Sequence, residues 1–412
     1  METNPASNRR GAIALTAAAI GLLAVTTGSR SVFGLFISPL NSATGLGIAT
    51  ISLAVALSQL AWGAAQPVCG LLAERYGPAR IIFAGGLLAA AAGALLPFAH
   101  SAVLLAAVLA AGGVAATVGS PSLLVGTVSQ RVAPERRGLV AGIVGAGGPL
   151  GQLVLAPATQ AVIAAAGWVG AAFALAGLSL AALPLALAFR GPAAASADAH
   201  AAPRAGASLG EALASPQYWL VNATFFVCGV HVLFLVTHLP GVIELCGLPS
   251  SVSGFALSAL ALFNIGGSIG AGLVIQRYSM KRTLAALFAA RGLGVALFFA
   301  APKTELVVLA FSVWMGLTYM AVLPPVAGLI GKLFGAARLP TLLGITFVVH
   351  QAGAFLGSWL GGVVLETTGS YDRMWILDLA LAALATAVSL TVREQPRTLF
   401  KTKSPVYAPR SA

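Results

Sequence analysis

The sequence predicts an all-α membrane protein, with twelve transmembrane helices arranged as two pseudo-symmetric six-helix bundles. Three observations lead to this fold class: a composition too apolar for water, an alternation of basic and nearly uncharged loops, and an internal repeat between the two halves of the chain. Each follows from how lipid and water solvate a polypeptide.

The composition is that of a membrane chain. Only 8% of the 412 residues are charged, whereas soluble domains carry about 25%, and 58% are hydrophobic, with a mean hydropathy of +0.93. Twelve apolar segments, from Gly11–Ile37 to Met374–Val392, approach the roughly 20 residues that cross a bilayer as a helix. This composition excludes a soluble multidomain enzyme, a disordered chain and, despite a net charge of +12, a nucleic-acid-binding protein.

Basic residues alternate between the two sides of the predicted membrane. The loops and tails on one side carry 19 of the 23 Lys and Arg residues, and the opposite loops carry only Lys303 and Arg373. By the positive-inside rule the richer side is cytoplasmic. We therefore expect both termini in the cytoplasm, in a multi-pass protein of a bacterial-type inner or plasma membrane.

A connection rich in Ala, Ser and Pro separates the predicted helices into two groups of six and is typical of a flexible linker. The predicted organisation is a cytoplasmic N-tail (1–10), an N-terminal bundle (11–189), a cytoplasmic linker (190–216), a C-terminal bundle (217–392) and a cytoplasmic C-tail (393–412).

The two halves contain related sequences. The segment Gly70–Arg80, which follows the second predicted helix, recurs 202 residues later as Gly272–Arg282, with Gly, Leu, Arg and Tyr at matching positions. Such a repeat predicts two bundles related by an axis along the membrane normal.

The segment Gly70–Arg80 resembles the loop signature of the major facilitator superfamily, with Glu74 where aspartate is usual. The residues around Arg30 in the first helix and the string His350–Gly362 in the eleventh resemble its monocarboxylate-porter-like and oxalate:formate-antiporter-like branch. The resemblance implies a secondary transporter that works by alternating access around a site near the membrane midplane.

Arg30 is the strongest candidate for binding a substrate. Ionisable groups inside a membrane are costly and are functional candidates by default, and the N-terminal half has no acidic residue at membrane depth to balance Arg30. The resemblance places the first helix along the central cavity, where a guanidinium would bind a carboxylate through two parallel hydrogen bonds. The alternative is a cation that reaches the outer surface or binds backbone carbonyls.

Two histidines and four other polar residues are the remaining candidates for the pocket. His231 occupies the repeat position of Arg30 on the seventh helix, so the two could flank one substrate, and His350 lies in the middle of the eleventh helix. Either imidazole could donate a hydrogen bond to a carboxylate or take up a proton, or be satisfied by a neighbouring helix. The polar residues expected to complete the pocket, or else to bridge helices, are Gln59, Asn264, Tyr319 and Gln351.

Arg291 in the ninth helix and Asp378 in the twelfth are each unfavourable alone in lipid. The resemblance places both helices away from the cavity, so we expect a structural ion pair between them. The rival interpretation is that Arg291 turns inward as a second anion site.

The repeated loop has the residues of a charged latch. Glu74 at the end of the second helix could pair with a basic residue such as Arg137, or with a helix amino terminus, when that side of the protein is closed. In the second half Gln276 replaces the acid, which weakens the symmetric latch. The predicted gating residues are Glu74, Arg75, Gly77, Arg80, Arg137 and Arg277.

The resulting functional hypothesis is a secondary active transporter for small organic anions, with monocarboxylates as the expected substrates. The partners expected are the carboxylate substrate and the lipid bilayer, with protons as the coupling ion if transport is proton-driven. No cofactor, metal or nucleic acid is expected, and the protein is expected to be a monomer and not an enzyme. Because the eighth helix has no charged residue, anion exchange and proton coupling through a histidine both stay open. The main alternative is a drug or metabolite efflux antiporter of the same superfamily.

Overall fold

A computed structural model describes residues 5–129, 131–132, 137–190, 208–335 and 338–394, and every regular element in these ranges is a helix. In the N-terminal half, short 3₁₀ turns at Phe33–Phe36, Leu96–Phe98, Thr117–Gly119 and Leu183–Phe189 link or extend the α-helices. These helices are α1 (Pro5–Ser31), α2 (Ile37–Thr44), α3 (Ile48–Tyr76), α4 (Pro78–Leu95), α5 (Ala102–Ala116), α6 (Pro121–Ser129), α7 (Arg137–Gly145) and α8 (Gly147–Ala181).

The C-terminal half begins, within the described residues, with a short helix whose capping box joins Ser208 and Glu211. Its helices are α9 (Leu209–Ala214), α10 (Pro216–Leu245), α11 (Ser251–Val274), α12 (Met280–Ala300), α13 (Glu305–Thr318), α14 (Leu323–Phe334), α15 (Leu339–Thr368) and α16 (Asp372–Thr391).

Eleven continuous apolar stretches in the described residues are long enough to cross a membrane, and one of them contains two crossings. The stretch Val140–Phe189 has 50 residues, and a straight helix of that length would measure about 75 Å, more than twice the hydrocarbon core of about 30 Å. Gly167, at φ 71° and ψ 173°, breaks it into two arms. The predicted twelve spans and all-α fold class are thus confirmed.

The fourth and tenth spans are broken at corresponding points, each beside proline. A 3₁₀ turn separates α5 from α6, which begins at Pro121. In the second half, α13 ends at Thr318 and α14 begins at Leu323, directly before two prolines that cannot donate backbone hydrogen bonds. The second break leaves carbonyl groups inside the protein that need other donors.

The two halves contact each other on one side of the membrane. We call the side where α1 begins and α16 ends the termini side, and the opposite one the far side. Extensive contacts between the halves join α3 to α15, α8 to α11, and the turn Phe33–Phe36 to α10. Each contact runs from the far side towards the midplane.

Hydrogen bonds show the same asymmetry. Near the far-side ends Ser38 donates to Glu244 at 2.9 Å, and the Ala49 amide donates to Glu366 at 2.7 Å. Other bonds join α8 to α11, and the one nearest the midplane runs from α15 to Gln59. These bonds, like the helix contacts, lie between the far side and the midplane, so the halves separate towards the termini side.

Close helix packing in the C-terminal half depends on glycine. A Cβ atom at Gly357 of α15 would lie 2.1 Å from the Val230 carbonyl oxygen of α10. On the same helix, a Cβ atom at Gly344 would meet no atom within 4 Å.

We predict that Gly357→Ala lowers stability by about 1–3 kcal/mol, because overpacked helices must separate. The control Gly344→Ala should be neutral or stabilising by up to about 1 kcal/mol, because alanine loses less conformational freedom than glycine on folding. Thermal unfolding of the detergent-purified variants measures both. Equal midpoints for the two variants would contradict the packing described here.

Candidate functional site

Arg30 lies one residue before the end of α1, where the first span changes to a 3₁₀ turn. Its Nη2 donates to Gln59 Oε1, and its guanidinium carbon lies 4.4 Å from the centre of the Trp62 ring. Both partners belong to α3 and are uncharged. Arg30 forms no ion pair with any described residue, so its charge is balanced only by an amide dipole and an aromatic face.

A chain of polar side chains leads from Arg30 into the other half of the protein. Gln351 Nε2 of α15 donates to the Gln59 carbonyl oxygen at 3.3 Å, and His350 Nδ1 lies 3.1 Å from Gln351 Oε1. His350 is 5% exposed, and its Nε2 has no hydrogen-bond partner. Four of the predicted site residues therefore form one polar chain, which joins the halves near the midplane: Arg30, Gln59, Gln351 and His350.

A small cavity adjoins this polar chain on the N-terminal side. Its volume is about 160 Å³, and it lies among the first, second, third, fourth and sixth spans. Arg30 and Gln59 line it together with Ser29, Ser58 and Thr26, and the rest of its wall is largely alanine, glycine, leucine and valine. A cavity of about 150 Å³ accepts a ligand the size of benzene, so this one suits a small molecule with a polar end and an apolar body.

Two other predicted pocket residues lie at the break in the tenth span. Asn264 Oδ1 accepts hydrogen bonds from the Met320 amide at 3.2 Å and from Ser268 at 3.4 Å. The Tyr319 hydroxyl donates to the Val232 carbonyl oxygen at 3.4 Å. Both side chains bridge helices around the break, which is the alternative role considered for them.

Arg291 also supports this break, contrary to the ion pair expected with Asp378. Its Nη2 donates to the carbonyl oxygens of Thr318 and Tyr319, the second at 2.8 Å. The direct ion pair is not formed, because the guanidinium is occupied by carbonyls that the end of α13 leaves without helical donors. Arg291 is 1% exposed, and its Nε and Nη1 have no hydrogen-bond partner.

Asp378 lies beside His231 instead, with no hydrogen bond between the two side chains. His231 Nε2 lies 3.6 Å from Asp378 Oδ1, and both side chains are at most 2% exposed. His231 therefore faces α16 inside the C-terminal half, and the expected arrangement of His231 across a substrate from Arg30 is not formed. The carboxylate of Asp378 on the neighbouring α16 attracts the imidazole towards that helix.

Comparison with known proteins places the chain in a family. The family model described as Major Facilitator Superfamily matches residues 19–358 and, separately, 247–410. The chain belongs to the major facilitator superfamily. It is accordingly a multi-pass membrane transporter and not an enzyme.

Named relatives and a solved structure agree with this assignment. The transporter is 26% identical over 383 residues to "Oxalate:formate antiporter" of Oxalobacter formigenes, covering 91% of this chain and 90% of that one. It is 27% identical to "Monocarboxylate transporter 13" of Rattus norvegicus, covering 79% and 76%, and 28% identical to "Monocarboxylate transporter 11" of Homo sapiens, covering 80% and 71%. The xylose transporter XylE from E. coli, in an inward open conformation, has the same fold, with a TM-score of 0.74, 12% identity, and coverage of 92% and 96%.

Within the part of the chain that the structure describes, the residues of the predicted latch form no ion pair. Glu74 is exposed and forms no ion pair with the described residues. The same is true of Arg75, Arg80 and Arg277, and the side chain of Arg137 lies outside the described residues. Gly77 has a φ of 87°, which only glycine adopts freely, at the start of α4. The gating role of these residues stays a prediction.

A carboxylate that the sequence analysis missed, that of Glu394, connects the end of α16 to the start of α12 and to α14 on the termini side of the C-terminal half. Glu394 accepts hydrogen bonds from Ser279 Oγ at 2.5 Å and the Lys281 amide at 2.7 Å, and lies 3.7 Å from Lys332 Nζ. Partial burial would raise the pKa of Glu394, but these hydrogen bonds and the Lys332 ammonium outweigh burial and lower it. Its position just beyond α16 gave no signal, because it depends on how that helix packs beside α12.

We predict that the double variant Arg291→Leu/Asp378→Leu loses less stability than the sum of the losses caused by the two single substitutions. Each single change leaves an uncompensated charge in a dry interior, while the double change removes both charges. A double-mutant cycle on thermal unfolding midpoints measures the coupling. Strictly additive effects would show that Arg291 and Asp378 do not balance each other.

Proposed function

We propose that the transporter exchanges small organic anions of the monocarboxylate class, and that Arg30 binds the carboxylate. The observation that carries this proposal is a cation at membrane depth beside a small cavity. Its partners among the described residues are the neutral side chains of Gln59 and Trp62. An anion is the ligand that such a site lacks.

Binding would exchange one partner of Arg30 for another. A carboxylate offers two oxygens that match the planar guanidinium and forms stronger hydrogen bonds than the single amide oxygen of Gln59. Gln59 also accepts the hydrogen bond from Gln351 through its backbone, and Gln351 contacts His350. Displacing the Gln59 side chain therefore acts on a residue that joins the two halves, which links substrate binding to their relative movement.

The dimensions of the site support small substrates. A cavity of about 160 Å³ with a largely apolar wall suits a short carboxylic acid, with the carboxylate at Arg30 and the alkyl part among the alanines and glycines. A drug-efflux site for bulky cations would need more space and negative charge, and neither adjoins Arg30 in the described residues. The named relatives, an oxalate:formate antiporter and monocarboxylate transporters, support the same substrate class.

The charge asymmetry of the loops supports a cytoplasmic location for both termini. The opening on the termini side then faces the cytoplasm, in a bacterial-type inner or plasma membrane. In the opposite state this side closes, and Glu74 would engage Arg137 or a helix amino terminus. The transport pathway lies within one chain, so a monomer suffices.

Charge balance favours exchange over net uptake. Arg30 and Arg291 outnumber Asp378 by one among the formal charges at membrane depth, with histidines neutral. An empty carrier must enclose this excess cation as it changes state, which costs solvation energy, whereas one bound monoanion cancels it. Proton coupling through His231 and Asp378 is the competing mode, favoured by their 3.6 Å contact.

We predict that Arg30→Ala weakens binding of short carboxylates about 10- to 100-fold, the loss expected for hydrogen bonds between charged groups. Thermal-shift titration of purified protein with acetate, lactate, formate and oxalate measures it. The control Arg373→Ala removes an exposed arginine near the start of α16 and should bind like the unmodified protein. Stabilisation by lipophilic cations and by no carboxylate would contradict the proposal.

We predict that substrate inside proteoliposomes accelerates uptake of labelled substrate, and that an imposed pH gradient has little effect. The physical reason is that only the anion-loaded carrier has a balanced interior charge. The pH gradient separates the two modes, because anion exchange depends on substrate on both sides of the membrane and moves no proton. Uptake driven by an inward proton gradient and abolished by Asp378→Asn would show proton coupling instead.

A further inference from the structure

A basic groove opens on the termini side of the N-terminal half. Its volume is about 780 Å³, and it lies between the turn that joins α3 to α4 and the end of the sixth span. Arg75, Arg80 and Arg190 line it, together with one acid, Glu74. None of the three arginines forms an ion pair with a described residue, so the groove carries an uncompensated positive charge.

The internal repeat shows what binds at the corresponding place in the other half. In the C-terminal half, Glu394 follows the twelfth span and binds the start of α12 through Ser279 and the Lys281 amide. A carboxylate thus occupies the position between the start of the third helix of that half and the end of its sixth.

In the N-terminal half, a helix start and the end of the sixth span also lie beside each other, but no carboxylate from the end of that span is described between them. The offset of 202 residues aligns Gly77 with Ser279, both of which are N-cap residues, and aligns Arg190 with Val392 at the end of the sixth span. Gly77 offers no side chain to cap α4. The groove therefore has a helix start and three guanidinium groups where its counterpart has a bound anion.

We propose that the basic groove binds the phosphate of an anionic phospholipid from the membrane leaflet on the termini side. Basic pockets between transmembrane helices bind such headgroups through charge and hydrogen bonds. The single carboxylate of Glu74 leaves the groove net positive and so favours lipids with net negative charge over zwitterionic ones.

The surroundings of the groove favour a lipid over a free phosphate ion. Tyr76, Phe83 and Leu187 line it and are 46%, 44% and 48% exposed. Large apolar side chains at the end of a membrane span lie next to acyl chains. A headgroup at the arginines places its acyl chains against these three residues, whereas inorganic phosphate makes no use of them.

The test compares the groove with its repeat counterpart. Binding of phosphatidylglycerol and of phosphatidylcholine to the full-length protein is measured by native mass spectrometry. The variant Arg75→Gln/Arg80→Gln/Arg190→Gln should lose phosphatidylglycerol affinity by about fivefold per arginine, and its phosphatidylcholine binding should not change. The matched control Arg277→Gln/Arg282→Gln alters the corresponding loop, whose anion position Glu394 already occupies, and should keep phosphatidylglycerol affinity.

Two further measurements complete the test. Inorganic phosphate and glycerol phosphate should bind far more weakly than phosphatidylglycerol, and binding of equal strength would overturn the assignment to a lipid. Equal losses in the groove variant and the control variant would overturn the assignment to this groove. If the triple variant does not fold, Arg190→Gln alone should lower phosphatidylglycerol affinity about fivefold, and unchanged affinity would overturn the proposal.

Discussion

The cost of placing charge in lipid governs the arrangement of this transporter. A side chain at membrane depth has no bulk water to solvate it, so each charge must find partners within the protein or bind a ligand. Arg291 finds backbone carbonyls, Asp378 finds a histidine, and Arg30 finds only an amide oxygen and an aromatic ring. Arg30, which has the weakest partners of the three, is also the one that lines the cavity.

The same constraint explains why the broken tenth span is stable. Ending α13 at Thr318 frees carbonyl groups that lipid cannot solvate, and the donors are supplied by Arg291 of α12. On the other side of the break, Asn264 of α11 accepts a hydrogen bond from the Met320 amide. The polar residues of the C-terminal half thus maintain an irregular backbone, while Arg30 and Gln59 of the N-terminal half line a small cavity.

The sequence predicted the fold because long apolar segments and loop charges report directly on the membrane. It also singled out Arg30, Gln59, Gln351 and His350, which the structure joins in one polar chain, since polar side chains in apolar helices stand out. Their role in binding a substrate stays a prediction. It could not predict the partners of these residues, which depend on how helices rotate against one another. His231 illustrates the limit: its repeat position matched that of Arg30, but Asp378 on a neighbouring helix determined where the imidazole lies. Trp62, three residues after Gln59 and on the same helix face, could have been found from that spacing.

The bond between Gln351 and Gln59 has a mechanical consequence. Among the described hydrogen bonds between the halves it lies nearest the midplane, with all the others towards the far side. It therefore lies where a pivot between the two moving halves would be, and Arg30 donates a hydrogen bond to the side chain of the same Gln59. Close to a pivot, a small displacement becomes a much larger one at the ends of the helices, so the small anion proposed to bind Arg30 would be enough to set the direction in which the whole protein opens.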